Sequence, residues 1–139
     1  YLAYARHTGP NLSPFNAWVV LKSLETLDLR VRQQCANALK VATFLDGRVP
    51  RLVYPGLASH PQHALAQRQM TAGGTIIAMH LDGGRPQAQA LLDALGIIDI
   101  SNNLGDSRSL MTHPASTTHA AVSDAVRAEM GITEGMLRL

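Results

Sequence analysis

The arginine near the end of the sequence is the residue whose type and setting best suit ligand binding. Arg138 lies inside the apolar run 136–139. A guanidinium is planar and binds a carboxylate through two parallel hydrogen bonds. The alternative is a surface arginine whose aliphatic stem covers apolar neighbours, and composition alone favours this alternative. Residue type therefore leaves both roles of Arg138 open.

Two polar segments follow predicted strands, and both have the composition of ligand-binding loops. Residues 102–110 read Asn-Asn-Leu-Gly-Asp-Ser-Arg-Ser-Leu, and residues 113–119 read His-Pro-Ala-Ser-Thr-Thr-His. Small polar residues at the exit of a strand commonly offer side chains or backbone amides to a ligand. Composition alone leaves an ordinary connecting loop as the alternative for each segment.

Other chemically capable residues give weaker signals. His60 and His63 have a spacing that suits a metal, but no cysteine or acidic residue lies near them in sequence to complete a shell. Cys35 lies on an apolar helical stripe, where a buried thiol is usually inert. The sequence therefore predicts no metal site and no catalytic cysteine.

The carboxylates and glycine pairs also favour structural roles. The spacing of Asp99, Asp106 and Glu134 fixes no acid–base pair. The glycine pairs 73–74 and 83–84 lack the residues of a phosphate-binding loop, and turn chemistry explains both.

Composition excludes several classes of protein. The 139 residues have 46% hydrophobic content and a net charge of +2, with no basic run suited to nucleic acid. No apolar run approaches the roughly 20 residues that span a bilayer, and no signal peptide is visible. The single cysteine excludes an internal disulfide. We expect a cytoplasmic protein without a membrane or nucleic-acid partner. The start at Tyr1 and the apolar end at 136–139 also lead us to expect a truncated chain.

The elements that must position these residues begin with a long helix. Ser13 as N-cap and Pro14 at the first helical position predict a helix to about Leu45, with a bend at 27–29. Its apolar residues recur at spacings of three and four, which predicts one buried face. The residues of this stripe are Ala17, Val20, Leu21, Leu24, Val31, Cys35, Ala38, Ala42 and Leu45.

Shorter elements follow the long helix. Strands are predicted over 51–54, 75–81, 97–101, 110–113 and 136–139, shorter helices over 60–69, 86–95 and 124–130, and an irregular turn over 1–12. This order predicts an α/β fold, a two-layer α+β-type sandwich. It has a small, mostly antiparallel or mixed sheet with helices on one face. The predicted division is 1–47 for the turn and long helix and 48–139 for an α/β domain.

Several segments, taken together and in order, resemble the enzymes of Cys/Met metabolism that depend on pyridoxal phosphate (PLP). This family includes cystathionine γ-synthases and γ-lyases, methionine γ-lyases and O-acyl-homoserine sulfhydrylases. The matching segments are 7–18, 24–27, 30–31, 54–57, 59–63, 113–119, 131–135 and 137–139. Each is weak alone, but the joint match spans nearly the whole chain.

The resemblance implies the carboxy-terminal domain of a fold-type-I PLP enzyme. In the family the cofactor forms a Schiff base with a lysine in a motif that precedes the matching region. Lys22 and Lys40 are the only lysines here, and neither lies in such a motif. The resemblance therefore implies that the PLP-binding domain, the catalytic lysine and all cofactor-binding residues are missing from this chain. It also implies that the chain alone binds no PLP and is inactive.

The resemblance implies that three residues of this chain bind the substrate carboxylate. The arginine of the family's Leu-Arg-Leu strand matches Arg138, the residue before Leu-Gly matches Asn103, and the threonine before histidine matches Thr118. The lyases and γ-synthases usually have serine where Asn103 stands, so Asn103 favours the sulfhydrylases. Such residues orient the substrate, and the cofactor serves as the electron sink.

The best hypothesis from the sequence is therefore that the chain forms part of an O-succinylhomoserine sulfhydrylase. The intact enzyme would replace succinate by sulfide to form homocysteine, a step of methionine biosynthesis, and the resemblance implies a homotetramer. The alternatives are a relative of the γ-synthase or methionine γ-lyase type, and a free-standing, non-catalytic domain for small ligands or oligomerisation.

Overall fold

The computed structural model describes residues 2–9 and 11–139. It divides the chain into a unit that ends at Arg32 and a unit of Gln33–Leu139. The predicted division at residue 47 stays a prediction. None of the helices within the described ranges is long and apolar enough to cross a membrane.

The helices and strands are short apart from one helix. The helices are α1 Leu2–Thr8, α2 Pro14–Leu24, α3 Leu27–Leu45, α4 His63–Gln69, α5 Gly84–Asp93 and α6 Asp124–Glu129. The strands are β1 Arg51–Val53, β2 Ala78–His80, β3 Asp99–Ile100, β4 Leu110–Met111 and β5 Met136–Arg138, and one 3₁₀ turn covers Pro114–Ser116. Every predicted strand is present, but shorter than expected.

The first segment corrects one prediction. Residues 1–12 were expected to be an irregular turn, yet α1 occupies most of the described part. Ala3 and Arg6 are good helix formers, and the Thr8 hydroxyl donates to the carbonyl of Tyr4 at 2.8 Å. Gly9, at φ +65°, then ends the helix. Gly9 does end the helix as a turn residue, but the irregular segment predicted from it begins too early in the chain.

The predicted long helix is two helices. Ser13 caps α2 as predicted, since its hydroxyl oxygen accepts from the amide of Asn16 at 3.2 Å. The helix breaks before α3, slightly ahead of the bend expected at 27–29. Arg30 stabilises this break, because its guanidinium donates to the carbonyl of Ser23 at 2.8 Å and to the Thr26 hydroxyl at 3.2 Å.

The predicted apolar stripe is buried only in its second half. Cys35, Ala38 and Ala42 are buried as expected, whereas the residues of the stripe in α2 are exposed, with Leu21 at 59%. A periodic pattern shows which face of a helix is apolar, but not what covers that face.

A three-stranded antiparallel sheet, in the order β1-β2-β5, forms the centre of the second unit. Residues two apart along a strand share a face, so one face is apolar and packs against α3 and α5. Its residues are Leu52, Tyr54, Ile77, Met79, Leu137 and Leu139, and the helices contribute Ala38, Ala42, Ala88 and Leu92. The predicted sandwich with helices on one sheet face is confirmed.

A second, two-stranded sheet lies next along the chain. β3 and β4 are parallel, with Asp99 opposite Leu110 and Ile100 opposite Met111. Residues 101–109 connect them without a helix. Beyond β4, Thr112 forms an isolated antiparallel bridge with Arg138 of β5. This bridge joins the parallel pair to the edge of the larger sheet.

Gly135 fixes the entry into β5. Its carbonyl accepts from the amide of Leu81 at 3.0 Å. A Cβ at this position would collide with the carbonyl oxygen of Leu81. The close approach of the two backbones therefore requires glycine.

Candidate functional site

Arg138 lies on the sheet face opposite the helices, because it alternates with Leu137, which is buried, and Leu139, which is half-buried and packs against the core. Its amide donates to the carbonyl of Thr112 at 3.0 Å, and its own carbonyl accepts from the amide of Thr112 at 3.0 Å. The residue is partly buried, and one guanidinium nitrogen, Nη2, donates to the carbonyl of Asn102 at 3.0 Å in an exposed hydrogen bond. Within the described ranges, Arg138 has no carboxylate partner.

A chain of side-chain hydrogen bonds continues from Asn102. Its Oδ1 accepts from the hydroxyl of Thr112 at 2.7 Å, and Thr112 is 1% exposed. The hydroxyls of Thr112 and Thr117 are 2.9 Å apart. Asn102, Thr112 and Thr117 are not among the residues that the sequence predicts at the carboxylate, because the pairing of residue 112 with β5 is not visible in composition.

A cavity of about 240 Å³ lies beside Arg138. Asn103 and Arg138 both line it, so the structure brings these two predicted residues to the same cavity. The backbone amide of Asn103 donates to the hydroxyl oxygen of Ser101 at 3.2 Å, and Asn103 itself is exposed. Apolar wall residues such as Ile77 and Leu139 belong to the core below.

Thr118, the third predicted residue, is not among those that line this cavity. Its hydroxyl contacts Nδ1 of His119 at 2.8 Å, and the residue is exposed. Thr118 follows the 3₁₀ turn, whose Pro114 and Ala115 are buried. Its role at the carboxylate stays a prediction.

The loop that carries Asn103 is held by charges and by α3. The pKa of the Asp106 carboxyl is lowered, first by the backbone amide of Arg108 and then by the guanidinium of that residue. Arg108 also pairs with Asp99 at 2.9 Å. Nε2 of Gln34 in α3 donates to the carbonyl of Asp106 at 3.0 Å. These contacts fix the outer wall of the cavity.

A separate cluster surrounds Glu134. Its carboxylate accepts from Nε of Arg85 at 2.6 Å and lies 3.3 Å from Nη2 of Arg127. Arg127 also pairs with Asp124 and is 11% exposed. The hydrogen bond from Arg85, followed by the charges of both arginines, lowers the pKa of Glu134. Here the positive charges are neutralised within the protein.

The buried histidines have structural partners. His113 contacts the Ser116 hydroxyl at 2.7 Å through Nδ1 and the carbonyl of Glu134 at 2.8 Å through Nε2. Nδ1 of His80 lies 2.9 Å from the Thr133 hydroxyl. Burial, with a smaller contribution from Arg51, lowers the pKa of His80.

The residues considered for metal binding and nucleophilic catalysis have ordinary surroundings. His63 contacts the carbonyl of Pro55 at 2.9 Å, and Nδ1 of His60 accepts from the amide of Gln62 at 3.2 Å. Cys35 is free and buried. The described residues contain no group of three or more histidine, cysteine, aspartate or glutamate side chains placed to hold a metal.

Sequence comparisons match the chain to one family. The family described as Cys/Met metabolism PLP-dependent enzyme matches residues 2–139. An O-succinylhomoserine sulfhydrylase of Mycobacterium tuberculosis is 50% identical over 96% of this chain, which covers 34% of that protein. The enzyme of the same name from Pseudomonas aeruginosa is 41% identical over 99% of this chain, which covers 35% of it. The chain thus spans about a third of the length of these relatives.

Solved structures agree with the sequence match. Cystathionine gamma synthase from Xanthomonas oryzae pv. oryzae, crystallised with aminoacrylate and cysteine, superposes with a TM-score of 0.89 at 42% identity. It aligns with 97% of this chain, which covers 35% of that structure. A putative O-acetylhomoserine (thiol)-lyase from Campylobacter jejuni superposes with a TM-score of 0.90 at 34% identity. There the alignment covers 99% of this chain and 33% of the other.

Proposed function

Because this chain belongs to the Cys/Met metabolism family of PLP-dependent enzymes, we propose that it forms the substrate-carboxylate side of an O-succinylhomoserine sulfhydrylase. The observation that carries the proposal is the state of Arg138. The residue is partly buried and lines a cavity, and its guanidinium donates to one carbonyl and has no carboxylate partner among the described residues. Its remaining N–H donors suit the α-carboxylate of an amino acid.

The complete enzyme would replace the succinyl group of O-succinylhomoserine by sulfide and release homocysteine. Relatives of that name at 50% and 41% identity support this reaction. In it, Arg138 and Asn103 bind and orient the carboxylate without breaking bonds. Thr118 is the third proposed contact, and it would have to reach the substrate from outside the cavity lining.

The lysines of this chain do not fit a Schiff-base site for PLP. Nζ of Lys22 is paired with Glu25 at 2.8 Å on the exposed surface of α2, and Lys40 is exposed on α3. A lysine that forms a Schiff base is normally desolvated or placed beside another cation, so that its pKa falls. We therefore assign cofactor binding to the part of the relatives that this chain does not match.

The complete protein, which includes this chain, should form homocysteine from O-succinylhomoserine and sulfide. Liquid chromatography with mass detection of homocysteine and succinate tests this directly. The same assay with O-acetylhomoserine measures the preference for the acyl group. Homocysteine at a rate no higher than in an enzyme-free mixture would contradict the proposal.

A second candidate is an elimination or cystathionine-forming enzyme. The likeness to the Xanthomonas cystathionine gamma synthase and a 42% identical L-methionine gamma-lyase of Pseudomonas putida favour it. Cysteine in place of sulfide would then give cystathionine, and methionine would release ammonia and an oxo acid. Either reaction at a higher kcat/KM than sulfhydrylation would replace the first proposal.

The 139-residue chain alone should have no turnover. We also propose that it takes up no PLP and that the complete enzyme is a cytoplasmic homotetramer. Visible absorbance after gel filtration with added PLP tests cofactor uptake by the chain, because a Schiff base between PLP and a lysine would make it yellow. A yellow chain would show that one of its lysines does hold the cofactor.

A further inference from the structure

A closed loop of hydrogen bonds joins Thr112 to both the backbone and the side chain of Arg138. We propose that Thr112 and Asn102 are positioning residues, which hold the Arg138 guanidinium in the orientation that receives a substrate carboxylate. This inference rests on the proposed function, because it needs Arg138 to bind a carboxylate. It adds two residues that act through Arg138 without touching the substrate themselves.

The backbone part of the loop sets the position of Arg138. Two hydrogen bonds of 3.0 Å join Thr112 and Arg138, one in each direction, so the two residues form a narrow antiparallel bridge. This bridge ties the segment after β4 to the last strand of the larger sheet. A sideways shift of Arg138 would break both bonds.

The side-chain part of the loop sets the direction of the guanidinium. The Thr112 hydroxyl donates to Oδ1 of Asn102 at 2.7 Å, and the carbonyl of the same asparagine accepts from Nη2 of Arg138 at 3.0 Å. A hydroxyl has one hydrogen, and Oδ1 can only accept. The hydrogen of Thr112 therefore goes to Asn102. The Thr117 hydroxyl lies 2.9 Å from that of Thr112 and donates its own hydrogen to the carbonyl of His113 at 2.8 Å.

Burial holds the Thr112 end of this arrangement in place. Thr112 is 1% exposed, so its hydroxyl is shielded from water, and a hydrogen bond in such surroundings is stronger than in water. Asn102 and its hydrogen bond from Arg138 are exposed. The Arg138 side chain has several rotatable bonds, and free rotation would have to be lost when a ligand binds. A carbonyl that already holds Nη2 removes part of that cost before binding.

The available donors agree with this role. Among the described residues, the side chain of Arg138 hydrogen-bonds to Asn102 alone, through Nη2. A guanidinium has five N–H donors in one plane, so a carbonyl at one corner restrains the group and leaves other donors for a carboxylate. Removal of the Thr112 hydroxyl would release Asn102 and let this plane rotate, while the charge of Arg138 would remain.

The test uses variants of the complete enzyme. Thr112→Val removes the hydroxyl with little change in shape, Thr112→Ser restores it, and Asn102→Ala removes Oδ1 but keeps the carbonyl. Thr43→Val is the matched control, because its exposed hydroxyl bonds only to the carbonyl of Leu39 in its own helix.

We expect Thr112→Val and Asn102→Ala each to raise the KM for O-succinylhomoserine about fivefold to tenfold, the size expected from the loss of one ordinary hydrogen bond. The kcat should change less than the KM. Thr112→Ser and Thr43→Val should stay within about twofold of the parent enzyme. An unchanged KM in both Thr112→Val and Asn102→Ala would overturn the inference.

A pair of inhibitors separates positioning from a general structural effect. Homoserine and 3-aminopropan-1-ol differ by the carboxylate alone. If Thr112 acts through Arg138, Thr112→Val should weaken inhibition by homoserine about fivefold and leave inhibition by the amine unchanged. Equal weakening of both inhibitors would mean that the substitution disturbs the site as a whole, which would contradict the proposal.

A double-mutant cycle with Arg138→Met distinguishes the positioning role of Thr112 from the anchoring role of Arg138. When Arg138 is already replaced, Thr112→Val should have no further effect on KM, because its route of action is gone. Independent, additive effects would overturn the positioning role and leave Arg138 as the anchor. No effect of Arg138→Met on KM would instead overturn the anchor in the proposed function.

Discussion

Two arginines of the second unit have opposite surroundings. Arg127 is 11% exposed and lies between the carboxylates of Asp124 and Glu134. Its Nη1 also donates to the carbonyl of Val122 at 3.1 Å. Arg138 is partly buried too, yet its side chain meets a neutral carbonyl and, within the described part of the chain, no carboxylate.

The difference between these two sites separates a structural arginine from a binding arginine. A buried charge needs a partner, because its removal from water is costly. Around Arg127 the protein provides that partner itself, so an incoming anion would have to displace Glu134 or Asp124. Around Arg138 an open cavity keeps water and ligands in reach, so a substrate carboxylate can be the partner.

The largest expected effect is that of Arg138→Met on catalysis. Loss of a bidentate, charged contact to the substrate should lower kcat/KM of the complete enzyme by about a hundredfold, equivalent to about 3 kcal/mol. Arg138→Lys should retain only part of the activity, because an ammonium lacks the planar fork. Steady-state kinetics with O-succinylhomoserine would measure both.

The matched control is Arg127→Met, which should leave KM for the same substrate unchanged. Full activity in Arg138→Met would remove the distinction between the two arginines. A hundredfold loss in both variants would mean that the Glu134 cluster also belongs to the site.

The next effect is on stability at the Glu134 cluster. Arg127→Met breaks contacts to two carboxylates and a carbonyl, and we expect the local free energy of opening of α6 to fall by about 1 to 2 kcal/mol. Hydrogen–deuterium exchange of the amides of α6 in the complete enzyme measures this. Arg138→Met should leave exchange in α6 as it is, and faster exchange there would show that the two regions are coupled.

A smaller, pH-dependent effect is expected at Glu134. Its pKa is lowered, first by the hydrogen bond from Arg85, so the charged form is favoured in the folded state. The resulting stability is fully present above the ordinary pKa of about 4.5 and is lost as pH falls through the lowered value. The free energy of opening of α6, obtained from exchange rates corrected for the intrinsic rate at each pH, should therefore fall as pH falls below about 4.5.

Glu134→Gln should flatten this dependence, while Asp93→Asn, on the exposed end of α5, should not. If the free energy of opening of α6 falls equally steeply at low pH in Glu134→Gln, the loss of stability belongs to other carboxylates.

The smallest effect concerns His80, which is on the same sheet face as Arg138. Burial and the charge of Arg51 lower its pKa below 6.5, so the neutral ring is favoured. The stability it contributes is present above pH 6.5 and is lost as pH falls through the lowered value. The free energy of opening of β2 and β5, from amide exchange corrected for the intrinsic rate at each pH, should fall modestly between about pH 7 and pH 5, and His80→Asn should reduce this fall. A fall unaffected by His80→Asn would contradict this account.

The sequence predicted most of the fold because local signals agree with the packing. The Ser13 cap, the helical spacing of the apolar residues in α3 and the glycine pairs 73–74 and 83–84 that bound the segment of β2 each depend on a few neighbouring residues. The boundaries were less accurate, because a strand ends where its partner ends. The apolar face of α2 illustrates the same limit, since its pattern predicts burial without naming a partner.

For the candidate site, the sequence by itself determined the residue types and the family: an arginine between leucines, a polar loop after a strand, and the motifs shared with the PLP enzymes. Only the tertiary structure decided which polar residues meet. Asn102 and Arg138 are 36 positions apart, and Thr112, Thr117 and Thr118 are equivalent by type. The register between the segment after β4 and β5 selects Thr112, because an antiparallel bridge brings one residue opposite Arg138.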